Sequence, residues 1–162
     1  MTDSNCQLPL DPELEAVKVS AARPRPVHRS QANIALVAVG GAAGTGLRYW
    51  ISAVVPRWAE VPVATFGINV AGAFLLGVLL ELLAESSHDT GWSQRIRLGI
   101  GTGALGGFTT YSALATETAT LAVTHPGRAA AYALATVIIG AVASLAGIGL
   151  CRRSLRTAWP KR

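Results

Sequence analysis

The chain has 162 residues, of which 51% are hydrophobic and 14% charged, with a mean hydropathy of +0.40. Charge is scarce beside the roughly 25% usual in soluble domains, which points to a membrane protein. The formal net charge of +5 does not indicate a nucleic-acid binder, because the 14 Lys and Arg gather near the two ends, where they flank apolar segments.

Residues 1–32 are rich in proline and charge and lack an apolar run, so they can neither span a bilayer nor build a core. They are expected to form a disordered cytoplasmic tail, and they do not read as a signal peptide, since the first apolar run starts only at Ile34. Cys6 and Cys151 stand far apart, and His28, His88 and His125 are scattered, so no disulfide framework or metal-ligand spacing is present.

Four apolar segments follow, approximately Ile34–Val55, Val61–Ala84, Ile96–Val123 and Ala129–Cys151. Each is close to the roughly 20 residues that cross a hydrocarbon core of about 30 Å. The short connections carry Pro, Gly or charge, and Trp50, Trp58 and Trp92 sit at interfacial positions. The expected organisation is therefore a four-helix transmembrane domain over 33–151, followed by a basic tail over 152–162.

With four spans, both ends and the middle loop share one side. That side holds eleven of the basic residues, Lys18 to Arg29, Arg95 with Arg97, and Arg152 to Arg162, against Arg57 and Arg128 opposite. The positive-inside rule places both termini in the cytoplasm.

Between helices in lipid, small residues that allow close approach supply much of the packing energy. Gly40 with Gly44, Ala73 with Gly77, and Gly140 with Ser144 and Gly147 supply such faces. Intramembrane polar groups demand more explanation, because a charge at the bilayer centre costs about 2.5–3.5 kcal/mol even on lenient scales. Arg48, late in the first segment, can snorkel or hold a carbonyl at a helix break. Asn69, deep in the second, suits interhelical hydrogen bonding and pore lining equally.

The third segment contains GALGGFTTYSALATE, Gly103 to Glu117. Gly101, Gly103, Gly106 and Gly107 weaken a helix, while Thr109, Thr110 and Ser112 can bond freed backbone groups or a passing ion. Irregular backbone at membrane depth is tolerated only where protein or water covers it, so a break at an interface or conduction path is expected. Catalysis is not: Ser112 and Ser144 have no intramembrane His or Asp to activate them, and no cofactor motif occurs.

Four blocks in order, GGAAGTGLRY, ATFGINVAGAFLLG, GTGALGGFTTYSALATE and AYALAT, resemble the small fluoride channels of the Fluc or CrcB family. The resemblance implies an all-α integral membrane fold of four transmembrane helices per subunit with a broken third helix, and two subunits in an antiparallel, dual-topology dimer. It further implies fluoride-selective passive exit from the cytoplasm across the plasma membrane. On this chain it assigns Gly106 and Thr109 as backbone-carbonyl ligands of a structural sodium ion that is not transported. It places Asn69, Thr110, Tyr111, Ser112, Tyr132, Thr136 and Glu117 along the fluoride pathway; Arg48 and Gly107 are expected to be structural. For Glu117 an exposed helix-end carboxylate is an equal alternative.

Two departures stand out. The family's pair of phenylalanines three residues apart is here Tyr111 and Leu114, and leucine has no electropositive ring edge. The charge bias is also strong, whereas a chain that inserts both ways needs almost none. Pairing with an oppositely oriented homologue is therefore favoured over a homodimer. The competing readings are a small four-helix multidrug exporter, which needs a carboxylate where the first segment offers only Arg48, and a non-conducting partner subunit.

Overall fold

The structure, a computed structural model, describes residues 30–56, 61–84 and 91–158. Residues 1–29 of the expected tail, Arg57 and Trp58, His88, and residues 159–162 lie outside the described residues.

Helix α1 spans Gln31–Val54 and ends just before Pro56, whose ring disfavours helical geometry in the residue ahead of it. Helix α2, Val63–Ala84, starts directly after Pro62. Helix α3, Gly91–Ile96, runs into a π-helical segment, Arg97–Leu105, and then into the single turn α4, Gly106–Phe108. The helical geometry is lost at Thr109 (φ −75°, ψ 153°) and Thr110 (φ −149°, ψ 119°), both extended, and α5 resumes over Tyr111–Thr124. Helix α6 occupies Pro126–Ala158, with proline at its first position, where a missing N–H leaves no helical bond unmade.

Helices α1, α2 and α6 are each long and apolar enough to cross a membrane. The third expected span is absent from that set for a physical reason: the extended residues Thr109 and Thr110 divide it into shorter helical pieces. The helix α6 also continues past the expected boundary at Cys151, reaching about 50 Å at 1.5 Å per residue. Its extra turns are held where Arg152 grips the buried Glu81 of α2 with two hydrogen bonds, of 2.9 and 3.2 Å.

Two helix pairs form the body. Helix α1 lies against the π-helical segment and α4, and α2 lies against α6. Both contacts are made backbone to backbone. A Cβ added at Gly40 would overlap the Gly99 carbonyl oxygen, and one at Gly44 the Ala104 carbonyl oxygen. In the second pair, Gly77 faces the Ser144 carbonyl and Gly147 the Phe74 carbonyl, each too closely for a side chain. The small-residue faces read from the sequence are thus helix contacts. The outer face of α6 carries Leu134, Val137, Ile138, Val142 and Leu145, all exposed, as a helix bathed in acyl chains requires.

Candidate functional site

A helix interrupted at two residues strands backbone groups, and in a membrane each must find a partner. The Thr110 N–H, which an unbroken helix would give to the Gly106 carbonyl, instead donates to Asn69 Oδ1 at 2.8 Å. Asn69 Nδ2 returns a bond to the Thr110 carbonyl at 3.1 Å. One amide side chain on α2 therefore holds both polar groups of one residue in the break, as a neighbouring strand would. On the other flank, the Gly107 carbonyl accepts from Arg48 Nε and from Thr45 Oγ1 of α1, each at 3.3 Å. Of the two options open to Arg48, the geometry is that of a carbonyl held at the break.

The break also restarts the helix. Thr110 is the N-cap of α5, its Oγ1 accepting from the Ala113 N–H at 3.2 Å and lying 3.2 Å from Ser112 Oγ. Thr109 turns its own hydroxyl back to the Leu105 carbonyl at 2.9 Å. Tyr111 projects outward and is 82% exposed, so its ring is free to meet another surface.

Beside the break lies an open cavity of about 420 Å³ between α2, α6 and the broken helix. Asn69, Gly106, Thr109, Thr110, Tyr111 and Thr136 all reach it, so six of the expected site residues converge there. Gly72 is what admits Thr109: a Cβ at that position would strike the threonine methyl. Leu114 lines the same cavity but is 7% exposed, an aliphatic wall there.

A second constellation joins α2, α5 and α6. Glu117 Oε1 accepts from Thr65 Oγ1 and Oε2 from Tyr132 OH, both at 2.9 Å. Glu117 is not at a helix end, since α5 continues seven residues beyond it to Thr124, and its carboxylate is not free. Thr136 donates to the Tyr132 carbonyl at 2.7 Å, and both residues are buried. Tyr132 also reaches a second, largely apolar cavity of about 450 Å³ with Phe66, Arg128 and Ala131. Sequence reasoning missed Thr65 and Thr45. The available signal was spacing, since Thr65 precedes Asn69 by four residues and Thr45 precedes Arg48 by three, so each pair shares a helix face.

The site thus offers hydroxyl and amide donors beside carbonyls at a helix break. Residues 35–148 match the family model described as CrcB-like protein, Camphor Resistance (CrcB). The chain is 51% identical over 136 residues to the fluoride-specific ion channel FluC 2 of Leifsonia xyli subsp. xyli, covering 80% of this chain and 94% of that one. It is 43% identical over 122 residues to the fluoride-specific ion channel FluC of Phenylobacterium zucineum, covering 73% and 94%. With the FluC of Agrobacterium fabrum the identity is 39% over 123 residues, covering 74% and 96%.

Proposed function

The chain belongs to the CrcB family, and from that premise we propose that it forms a fluoride-selective channel through which fluoride leaves the cytoplasm down its own gradient. The observation that carries the reading is similarity along nearly the whole length of relatives that bear the fluoride-channel name, with the helix break inside the matched region. Fluoride is small, strongly hydrated and a good hydrogen-bond acceptor, so a path must replace its water with donors without binding it tightly. The hydroxyls of Thr110 and Ser112, the second amide hydrogen of Asn69 and the rings of Tyr111 and Tyr132 are suited to that task, the Tyr132 hydroxyl being given to Glu117. No step calls for an enzyme's chemistry, and the exporter reading lacks its carboxylate in α1.

In this reading α3, the π-helical segment, α4 and α5 together make one more passage, giving four crossings. Two chains lie antiparallel in the plasma membrane, and Tyr111 meets the partner. The bias of eleven basic residues against two favours an oppositely oriented homologue as that partner, with this chain's termini in the cytoplasm. Sodium suits the break: the Gly106 carbonyl has lost its helical donor to Asn69, and hard carbonyl oxygens such as those of Gly106 and Thr109 are the donor type a hard cation takes. When bound, the ion would supply fixed positive charge at the break.

A fluoride electrode reading efflux from vesicles tests the function. Vesicles carrying this chain with its partner homologue are expected to empty of fluoride and to retain chloride. Absent fluoride efflux, or chloride passing at a comparable rate, overturns the reading.

A further inference from the structure

Arginine collects at the end of the molecule where α2 finishes and α3 begins. Gly72 of α2 lies beside Thr109 and Leu79 beside Gly101, so α2 and the broken helix run antiparallel. Arg97, four residues before Gly101, therefore reaches the level of Glu81. Glu81 holds Arg152, which brings the last turns of α6 to that level too. Arg95, Arg97 and Arg153 are exposed there, and none of the three has an ion pair among the described residues. The carboxylates close to them in sequence are Glu81, already taken by Arg152, and Glu85 and Asp89 ahead of α3, outside the described residues. From Cys151 onwards the sequence adds Arg156, Lys161 and Arg162 and no acid.

Two independent marks set the depth of these arginines in a bilayer. Trp92, three residues before Arg95 and on the same face of α3, is 70% exposed, as an indole at the headgroup boundary is. Helix α6 continues from Cys151 to Ala158, about 10 Å, which is enough to cross the roughly 5–8 Å of headgroups on one side of a bilayer. A guanidinium at that depth meets lipid phosphates, whose geometry its fork matches, and an anionic leaflet adds attraction of longer range. We propose that Arg95, Arg97 and Arg153 form a rim that holds anionic phospholipid headgroups in preference to zwitterionic ones. The bound lipid fastens the projecting end of α6 beside the Arg152–Glu81 pair. The inference concerns the membrane end of the fold and uses no step of fluoride conduction.

The full-length chain, purified with its partner homologue and stripped of lipid in neutral detergent, is titrated with dioleoyl phosphatidylglycerol or phosphatidylcholine, and retained lipid is counted by native mass spectrometry. The wild type is expected to retain phosphatidylglycerol at about tenfold lower concentration than phosphatidylcholine. Replacing Arg95, Arg97, Arg153 and Arg156 together with glutamine is expected to cut that preference at least fivefold, while Arg128→Gln, at the other end of α6, leaves it intact. Melting temperatures in phosphatidylcholine are expected to match, and phosphatidylglycerol to raise that of the wild type alone. Equal retention of the two lipids by the wild type overturns the proposal, as does a preference that survives the fourfold change or falls as far in Arg128→Gln. A thermal shift of equal size in both proteins overturns it too. Potassium phosphate displacing the lipid where gluconate of equal ionic strength does not marks a site for free phosphate and overturns the lipid assignment. Fluoride flux does not enter these measurements, so their failure leaves the channel reading standing.

Discussion

Asn69 does at residue scale what a strand edge does elsewhere, accepting from and donating to the same peptide unit of Thr110. Replacing it with alanine leaves an N–H and a carbonyl without partners in a part-buried site, at about 1–3 kcal/mol for each orphaned group. Asn69→Ala is therefore expected to lower the melting temperature in detergent as well as fluoride efflux, whereas a residue that only lined the pore would change efflux alone. The sequence made this residue stand out but left its partner open, because an amide deep in an apolar helix signals need without direction. Thr65 was harder still to see. Its partner Glu117 lies 52 residues away, and a threonine near a helix start has many ordinary uses.

At the scale of elements, the glycines separate into those that a neighbour forbids to change and those that it does not. Gly44 sits against the Ala104 carbonyl, while nothing lies within 4 Å of a Cβ at Gly46. Gly44→Ala is expected to cost more than about 3 kcal/mol or prevent folding, and Gly46→Ala to be neutral or stabilising by up to about 1 kcal/mol. Thermal unfolding of the two variants side by side checks this, and equal stability would remove the α1 contact from the account. Both the four-residue glycine spacing and the broken helix were legible in sequence, since close approach demands small residues and a break demands glycine and hydroxyls. The π-helical segment, Arg97–Leu105, was not, because its wider hydrogen-bond ring leaves no distinctive side-chain pattern. The length of α6 escaped for a different reason: apolar character stops near Cys151, but the helix continues because Arg152 finds Glu81 on α2.

For the whole molecule, the charge bias and Leu114 bear on the same question. Leu114 is buried within its own chain, so an aromatic edge at that depth has to come from elsewhere, while Tyr111 stands exposed and available to another surface. This chain expressed alone is expected to insert in one orientation, seen as one-sided labelling of engineered cysteines in its two tails, and to conduct poorly until its oppositely oriented homologue is added. Robust fluoride efflux from a dual-topology homodimer would sink the pairing proposal. Exchanging sodium for a bulky organic cation is expected to lower the melting temperature of the assembled channel, and an unchanged value would remove the ion. The break carries one more consequence, concerning the order of synthesis. Its stranded groups are claimed by Thr45 and Arg48 of α1 and by Asn69 of α2, and all three precede it in the chain. A ribosome therefore delivers the partners before the segment that needs them. By the time Thr109 and Thr110 enter the bilayer, the helices that will receive them are already made, so the most lipid-averse stretch of backbone need never wait there alone.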